Sequence, residues 1–503
     1  MLLNQPYFQE ITRIKPDPGE SLAKQYCGSC HIYPDPQILT KRSWNYLLTD
    51  MGARMGIVDY GPINNIHPVA LLHMTTREKL LEQAGLIPEQ ALLSKQEWQA
   101  IREYYIDQAP KRPIPQVKKP KTEPSLAQFD LVIPHFQPKG AIFTLNRIDQ
   151  QSGGLMLSNI KNSTLTVLDQ DLRIVTSYPE PEILVDASTQ GDSLILLAIG
   201  DLMGSYIGMG KGSITIKNKS DYGRPDPLIK ELHRPVDYEF ADLDNDGQQE
   251  IIICNFGDAT GNVTIYHESG NKIKELTQTP GAVRSQVHDF DQDGRPDIAV
   301  LMGDARENIS IYYNQGNHNY RRHEVVSCHS AYGHTYFELQ DFNQDGHMDF
   351  LAANGDTDAD PFNTLKNYHG IRIYLNDGAG NFHEAYFYPM YGAHFAKASD
   401  FDQDGDLDIA ASAFFPDFSS DKPEQFVYLE NTGDMTFKAF THPETYQGRW
   451  MTLDVGDYDL DGDTDIVLGG GYHSLGMTID HNEKFKSLLA NGKALLVFKN
   501  QLK

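Results

Sequence analysis

Three features are scarce in this sequence, and each scarcity excludes a class of protein. The 503 residues include only four cysteines, which excludes a disulfide scaffold. No run of about 18 apolar residues occurs, which argues against a transmembrane helix. The 43 basic residues are outnumbered by 69 acidic ones, giving a formal charge of −26. That charge argues against nucleic-acid binding, which depends on lysine and arginine contacts to phosphates.

The acidic residues are concentrated in a nine-residue segment that recurs five times. Each copy has an oxygen-bearing side chain at positions 1, 3, 5 and 9 and a glycine at position 6. The copies are DLDNDGQQE from Asp242, DFDQDGRPD from Asp289, DFNQDGHMD from Asp341, DFDQDGDLD from Asp400 and DYDLDGDTD from Asp457. Their starts lie 47 to 59 residues apart, so this part of the chain is an internal repeat.

Each acidic segment is flanked by short apolar or alternating segments of strand type, such as IIICNF and VTIYHE. Four short antiparallel strands per repeat are typical of a propeller blade. Two further units precede the five, around GLMLSNIKNSTLTVLDQ and SLILLAIGDLMGSYIGMGKGSITI. We therefore predict a mainly β fold with a seven-bladed β-propeller over residues 125–503, closed by strands from both ends of that region.

Residues 1–113 lack the repeat and indicate a small all-α domain. TKRSWNYLLTDMGARM and SKQEWQAIREYYIDQ have apolar residues at helical spacing, and Ser94 with Glu97 has the spacing of a capping box. A segment rich in proline and lysine follows, which predicts a semi-extended linker over residues 114–124. The first residues, MLLNQPYFQE, lack the basic and apolar segments of a signal peptide, so we expect a chain that has been either processed or trimmed.

The segment KQYCGSCHIYPDP contains the pattern C-x-x-C-H, at Cys27, Cys30 and His31. This pattern is the signature of covalent haem c attachment, in which two thiols bond the porphyrin and the histidine ligates the iron. A thioredoxin-like pair would need a βαβ context. A zinc site would need a second ligand pair, but Cys254 and Cys328 fall in remote repeats. The pattern therefore favours one covalent haem.

Residues 20–110 resemble a small class I cytochrome c domain, on this motif and on the last helical segment, LLSKQEWQAIREYYI. The stretch CGSCHIYPDPQILTKRSWNYLLTDM is similar to short bacterial cytochromes in which a tryptophan-bearing helix delivers a methionine to the iron. The resemblance implies His31 as proximal and Met51 as distal iron ligand, with Met55, one turn later, as the alternative. Further candidates are Met74, His67 and His73. The resemblance also implies a location outside the cytoplasm, in the periplasm or at the outer-membrane surface, with a processed N-terminus as one means of anchoring.

The acidic segments carry the oxygen ligands that Ca²⁺ prefers. Carboxylates this close together repel one another without a cation, so we predict about five Ca²⁺ ions. Flanking strands and the lack of a glutamate at position 12 distinguish these loops from EF-hands. The predicted ligands are Asp242, Asp244, Asp246, Glu250, Asp289, Asp291, Asp293, Asp297, Asp341, Asn343, Asp345, Asp349, Asp400, Asp402, Asp404, Asp408, Asp457, Asp459, Asp461 and Asp465.

These repeats resemble the FG-GAP/VCBS family, the calcium-loop propeller blades also found in integrin α-chains. The resemblance covers residues 236–503 well and residues 130–235 weakly. It implies that the calcium ions are structural and not catalytic.

The segment before each acidic loop alternates polar and apolar residues, which predicts an inner strand with one face towards a polar central channel. The polar positions are Glu239, Gln286, Glu338, Lys397 and Asp454. The blade starts should bring a second group to the channel mouth, opposite the acidic loops: Arg234, Arg284, His334, His394, Arg449 and Trp450. This second group either forms a binding site or pairs with blade-edge carbonyls.

Together these patterns favour an extracytoplasmic monohaem electron-transfer protein, whose propeller docks a redox partner, a surface complex or a glycan. One alternative is an enzyme at the channel mouth, either a haem-coupled oxidoreductase or a polysaccharide lyase. Arg284, His334 and His394 would then be the acid–base candidates. The other alternative is a surface protein that binds glycans for adhesion.

Overall fold

The computed structural model describes residues 17–63, 67–83, 85–200, 202, 210–219, 225–257, 260–357 and 360–502. No helix within these ranges is long and apolar enough to cross a membrane.

The N-terminal part is helical, as predicted. Its helices are α1 (Pro18–Tyr26), α2 (Lys41–Arg54), α3 (Pro68–Gln83) and α4 (Lys95–Gln108). Side chains cap three of them: Asp17 caps α1, Thr40 caps α2, and Ser94 forms a complete capping box with Glu97 on α4. The helices enclose a core in which Trp44, Trp98 and Tyr105 are buried. We refer to residues 17–110 as the helical region.

The rest of the chain is a seven-bladed β-propeller, which confirms the predicted fold. Each blade is a four-stranded antiparallel sheet, and its first strand is the innermost. Blades 1 to 3 are β2 (Phe143–Ile148), β3 (Leu155–Asn159), β4 (Thr164–Leu168) and β5 (Ile174–Pro179); β6 (Leu184–Gln190), β7 (Ser193–Ala198), β8 (Gly212–Asn218) and β9 (Ile229–Leu232); and β10 (Pro235–Ala241), β11 (Glu250–Asn255), β12 (Asn262–Tyr266) and β13 (Lys272–Thr277).

Blades 4 to 6 repeat this order. They are β14 (Ala282–His288), β15 (Asp297–Met302), β16 (Asn308–Asn314) and β17 (Tyr320–Ser327); β18 (His334–Gln340), β19 (Asp349–Asn354), β20 (Gly370–Asn376) and β21 (Phe382–Pro389); and β22 (Ala393–Ser399), β23 (Asp408–Ala413), β24 (Phe426–Asn431) and β25 (Phe437–Phe440).

Blade 7 closes the ring by combining strands from both ends of the propeller. It contains β26 (Trp450–Gly456), β27 (Asp465–Gly470) and β28 (Leu495–Asn500), with α5 (Asn482–Asn491) between the last two. Its outermost strand is β1 (Phe129–Val132), which pairs with β28. Strand β26 contacts β2 of blade 1, so the ring is complete. The prediction that strands from both ends close the ring is confirmed.

The strand sequences explain these positions. The second strand of blades 3 to 7 is buried at every residue and consists mostly of apolar residues. Such continuous apolar runs are typical of strands covered on both faces. The outer strands β17 and β21 contain runs of exposed residues, as expected at the rim.

The two faces of the propeller differ. The acidic loops join the first and second strands of blades 3 to 7, and we call this side the acidic face. The connections between second and third strands emerge on the opposite side, which we call the cap face. The helical region lies on the cap face, where α2 contacts connections from blades 5 and 7.

The segment between the helical region and the propeller is extended and held against blades 5 and 6. Gln116 donates to the His369 carbonyl at 2.8 Å, and Lys119 Nζ donates to the Pro389 carbonyl at 2.7 Å. Lys119 also pairs with Glu424, and Glu123 donates its amide to the Ala439 carbonyl. The segment predicted as a linker is therefore ordered along the propeller.

Candidate functional site

The C-x-x-C-H motif lies at the end of α1, against the core of the helical region. Cys27 is buried in this core, whereas Cys30 is exposed. Burial raises the pKa of the Cys27 thiol. Met51 and Met55 pack on the same cluster of side chains as Cys27. The structure therefore brings the first cysteine and both preferred methionines together.

The residues after the motif are fixed by two hydrogen bonds to core aromatics. Trp44 Nε1 donates to the Pro36 carbonyl at 2.8 Å, and the Tyr105 hydroxyl donates to the Pro34 carbonyl at 2.9 Å. His31 is half-buried, and its Nδ1 lies 2.9 Å from the Ile32 carbonyl. With Nδ1 as the donor of that bond, Nε2 is left available as a metal ligand.

The other candidates for a distal ligand lie elsewhere. Met74 is buried in a separate cluster with Tyr46 and with Phe362 of the propeller. His67 is exposed and accepts a hydrogen bond from the Val69 amide at the start of α3. The side chain of His73 lies outside the described residues.

The acidic loops of blades 3, 4, 5 and 7 share one hydrogen-bonded geometry. The first aspartate accepts bonds from the backbone amides of positions 5 and 6: Asp242 Oδ1 from Asp246 and Oδ2 from Gly247, at 3.1 and 2.9 Å. In blade 6, Asp400 accepts from the position 6 amide, that of Gly405, at 3.1 Å. Position 4 has a left-handed backbone in every copy, for example Asn245 with a φ of 61°. In the loops of blades 3, 4, 6 and 7, at least three carboxylates have oxygen atoms within 4.8 Å of one another. That spacing suits a single bound cation.

Position 9 connects the acidic loops of blades 4 to 7 to the end of the third strand of the same blade. Asp408 Oδ1 accepts from the Asn431 amide at 2.7 Å, and Asp297 Oδ1 accepts from the Asn314 amide at 2.7 Å. Burial raises the pKa of Asp408 to about 7. The asparagine side chain also bonds the loop, since Asn431 Nδ2 donates to the carbonyl of Leu407, the residue before Asp408.

These asparagines were missed by the sequence interpretation, although a signal was present. The third strands of blades 4 to 7 all end in asparagine. A residue that repeats at one register position in four of the five acidic blades indicates a shared contact. The residues are Asn314, Asn376, Asn431 and Asn500.

Several carboxylate oxygens of the loops have no hydrogen-bond partner among the described residues. Buried examples are Asp400 Oδ1, Asp459 Oδ1 and both oxygens of Asp463. In the blade 7 loop, Lys499 pairs with Asp459, and its Nζ lies 3.1 Å from Asp461 Oδ2. Among the described residues, this is the acidic loop in which a lysine contacts two predicted ligands.

Blade 1 has a degenerate loop in the equivalent place, which the sequence interpretation did not single out. Asp149 begins it, and a lysine from blade 2 lies beside it. Lys219 Nζ is 3.5 Å from Asp149 Oδ2 and 3.1 Å from Gln151 Oε1. The ammonium group of Lys219 therefore lies next to this loop.

The inner strands carry the predicted polar residues, and these residues join neighbouring blades. Asp454 accepts from the Ile148 amide at 2.8 Å, Glu338 from the Ala398 amide and Gln286 from the Leu339 amide, both at 2.6 Å. Lys397 Nζ lies 2.9 Å from Asp454 Oδ1. Each of these three acceptors binds the next inner strand, so the polar lining fixes the spacing of the blades.

The six residues predicted at the channel mouth have different environments. Arg449 and Trp450 are fully buried. The Arg449 guanidinium donates to the carbonyls of Phe414 and Leu475, at 3.1 and 2.7 Å, and to that of His473. Arg234 likewise donates to the Gly257 carbonyl. For these arginines the structure supports pairing with carbonyls.

The three acid–base candidates do not share one site in the described residues. His334 is buried, and its Nδ1 lies 2.8 Å from Glu307 Oε2. Burial lowers the pKa of His334 to about 3 and that of His394 to about 4. Arg284 lies 4.5 Å from the centre of the Tyr336 ring, in the channel.

The contact between the helical region and the cap face was not predicted. Ser43 Oγ donates to Asp360 Oδ2 at 2.8 Å, and all of these atoms are buried. The Arg42 guanidinium lies 3.8 Å above the Phe362 ring and pairs with Asp480 at 2.7 Å. Ala331 of the propeller packs against the cluster that contains Cys27. The motif-bearing core is therefore in direct contact with the propeller.

Comparison with protein families decides the nature of the repeats. Residues 289–352 and 400–468 match the FG-GAP-like repeat. These segments are FG-GAP-like repeats. They fall in blades 4 and 5 and in blades 6 and 7, so the predicted resemblance is confirmed there.

No curated protein matches the chain. Solved structures similar to it include the WD40 domain of Neurospora crassa Pan2, with 10% identity and a TM-score of 0.46, covering 76% of this chain and 98% of that one. The propeller domain of Myceliophteria thermophila Cps50 (Swd1) has 9% identity and a TM-score of 0.45, covering 74% of this chain and 100% of that one.

Proposed function

We propose that this protein is an extracytoplasmic electron-transfer protein with one covalent haem c in its helical region and a calcium-stabilised propeller that docks a partner. Cys27 and Cys30 would hold the haem, His31 would be its proximal ligand, and Met51 or Met55 its distal ligand. Such a group supplies one-electron transfer at a potential that its axial ligands set.

The observation that carries this proposal is the shared location of the ligand candidates. Cys27, Met51 and Met55 pack on one cluster, and the His31 Nδ1 contact leaves Nε2 available. Ile32 and Leu92 are exposed, although both are large and apolar. Ile32 follows His31, and the Leu92 amide donates to the Met55 carbonyl. Exposed apolar side chains beside the motif fit a surface that an apolar group covers.

The loop geometry supports the calcium part of the proposal. The buried oxygens of Asp400 and Asp459 that lack partners are both on predicted ligands. Carboxylate oxygens within 4.8 Å of one another repel unless a cation or proton neutralises them. The ions would fasten each first-to-second strand connection and play no part in electron transfer.

The docking part rests on the position of the helical region. It contacts connections of blades 5 and 7 on the cap face, opposite the acidic loops. A redox partner would approach the helical region, where the haem motif is, because electron transfer requires short distances. The propeller would then orient the complex.

The test is covalent haem content after expression in a host that matures haem c. We expect a pyridine haemochrome of one haem c per chain in the wild type and in Cys328→Ser, a control cysteine in the propeller. We expect no covalent haem in Cys27→Ser or Cys30→Ser. A wild-type protein that leaves this host folded but without covalent haem would refute the proposal.

The distal ligand is tested by two matched variants, Met51→Leu and Met55→Leu. The variant that removes the ligand should lose the weak long-wavelength absorption of methionine ligation and have a lower reduction potential. The other variant should keep both. If neither variant changes the spectrum, methionine ligation by this pair is wrong.

A further inference from the structure

We propose that the acidic loop of blade 3 is a mixed oxygen–nitrogen metal site, completed by His318 of blade 4. It would prefer a transition-metal ion such as Mn²⁺ to Ca²⁺. This proposal rests on the proposed cation-binding role of the acidic loops and changes the ion that one of them takes.

The donor atoms come together from two blades. One ligand atom each of Asp244, Glu250 and His318 lies within 4.8 Å of the others, and Asp242, Asp244 and Asp246 form a second such group. Because Asp244 belongs to both groups, the two are continuous. The site therefore offers carboxylates from blade 3 and one imidazole from blade 4.

The imidazole of His318 has no other good partner among the described residues. Its Nε2 is 3.5 Å from Asp244 Oδ2, longer than the roughly 2.8 Å of a charge-assisted hydrogen bond. Its Nδ1 is buried and has no hydrogen-bond partner. Nε2, in contrast, faces the carboxylates of the blade 3 loop without a hydrogen bond of normal length, so it is available to a metal ion held by those carboxylates.

Among the turns that join the third and fourth strands of blades 4, 5 and 6, only that of blade 4 carries a histidine at its fifth position. The turn between its third and fourth strands reads NQGNHNY from Asn314, and the corresponding turns of blades 5 and 6 read NDGAGNF and NTGDMTF. The fifth position is His318 in blade 4, Gly380 in blade 5 and Met435 in blade 6. Among these three turns of equal length, one presents a nitrogen ligand.

A hydrogen bond holds the turn of blade 4 that carries His318 against the acidic loop of blade 3. Asn314 Nδ2 donates to the Leu243 carbonyl at 2.8 Å, and Leu243 lies within the blade 3 loop. Blades 1 and 2 have the same arrangement, since Lys219 follows the third strand of blade 2 and contacts the blade 1 loop. This turn is thus placed to supply a side chain to the neighbouring loop.

The donor set determines the class of ion. Ca²⁺ takes oxygen ligands, whereas imidazole suits first-row transition metals. Several carboxylates with one imidazole fit Mn²⁺, which accepts oxygen-rich sites and also tolerates nitrogen. The other four acidic loops offer oxygen ligands and keep the calcium preference.

The test adds one equivalent of Mn²⁺ to the full-length protein in excess Ca²⁺ and records pulsed electron paramagnetic resonance. We expect modulation from a ligated imidazole nitrogen in the wild type. It should be lost in His318→Gln and in His318→Gly, the second of which copies Gly380. Mn²⁺ affinity should fall more than about tenfold, since loss of even an outer partner of a ligand costs about ten- to a hundredfold.

The matched control is His267→Gln, in the equivalent turn of blade 3, where the imidazole bonds Ser269 at 2.8 Å. It should keep the nitrogen modulation. Mn²⁺ binding without this modulation in the wild type, or with it in His318→Gln, would overturn the role of His318 and leave the calcium loops intact. Failure to bind either Ca²⁺ or Mn²⁺ by calorimetry would overturn both proposals.

Discussion

At the scale of single residues, the central channel is built from charges that are buried and mostly paired. Asp454 is almost fully buried and lies near two cations, Lys397 at 2.9 Å and Arg147 at 3.6 Å. These contacts join blades 6, 7 and 1. Removing one partner from such a group leaves the others as uncompensated buried charge.

We therefore expect Asp454→Ala to destabilise the protein by about 3–5 kcal/mol. Chemical unfolding of the wild type and the variant measures this difference. Arg173→Ala is the control, since Arg173 and Asp171 pair on the surface and such pairs contribute about 0–1 kcal/mol. Equal effects of the two substitutions would contradict the structural role of the channel network.

Glu239 makes stability depend on pH. Burial and the neighbouring Asp237 raise the pKa of Glu239 in the folded protein to about 7. Because this value lies above the unfolded one, the group stabilises the fold at acidic pH, and that contribution is lost as the pH rises through 7. The wild type should therefore lose stability between pH 5 and pH 8.

The matched variant Glu239→Gln cannot ionise and should lose less stability over this range. The difference between the two proteins should reach about 1–3 kcal/mol at pH 8, measured by unfolding in saturating Ca²⁺. The exposed Glu268→Gln should follow the wild type. If Glu239→Gln has the wild-type dependence of stability on pH, then Glu239 does not have a raised pKa in the folded protein.

At the scale of elements, the acidic loops differ in the cations that the protein itself places beside their carboxylates. The blade 7 loop differs because Lys499 contacts Asp459 and Asp461, which are two predicted ligands. A lysine and a metal ion compete for the same oxygens. This loop should bind Ca²⁺ more weakly than the blade 4 and blade 6 loops.

Chelation of Ca²⁺ should lower the melting temperature, because ligand release removes its stabilisation of the native state. In Lys499→Met, the weakest class of calcium site should become tighter. Calorimetric titration measures both the number of sites and the affinity. Lys438→Met, in an exposed position, is the control. Unchanged affinities in Lys499→Met would contradict competition in this loop.

The sequence predicted those features of the elements that depend on local pattern. The repeats, the apolar second strands, the ring closure and the helices near residues 41–54 and 95–108 all follow from periodicity and capping. The residues that adjacent blades place beside the loops do not follow from local pattern. Lys219 and His318 reach loops of adjacent blades, and nothing in the local sequence specifies which turn faces which loop.

At the scale of the whole molecule, the helical region and the propeller are joined by buried hydrogen bonds of Ser43 with Asp360 and Thr364. Ser43 and Asp360 are separated by 317 positions in the chain and meet at 2.8 Å. Such a pair cannot be found from a repeat or a motif. The sequence pattern located the C-x-x-C-H motif and the acidic loops, but the surface on which the helical region rests required the three-dimensional structure.

We expect Ser43→Ala to weaken this contact by about 1–3 kcal/mol, because it leaves the buried Asp360 carboxylate with fewer donors. Arg42→Ala should cost less through its ion pair, which is half-exposed. Hydrogen exchange in α2 of the full-length protein reports the loosening. If α2 exchanges at wild-type rates in Ser43→Ala, the contact does not hold the two parts together.

The pairing of β1 with β28 has a consequence for how the protein is made. A chain emerging from the ribosome presents β1 early, but its partner is synthesised more than 360 residues later. Until residues 495–500 are released, blade 7 has no outer half and the ring stays open. Among the described residues, the cluster that contains Cys27 includes one propeller residue, Ala331, so this part of the helical core can form before the ring closes. Closure of the ring must therefore wait until β28 has been synthesised, and a product truncated before β28 cannot complete the ring.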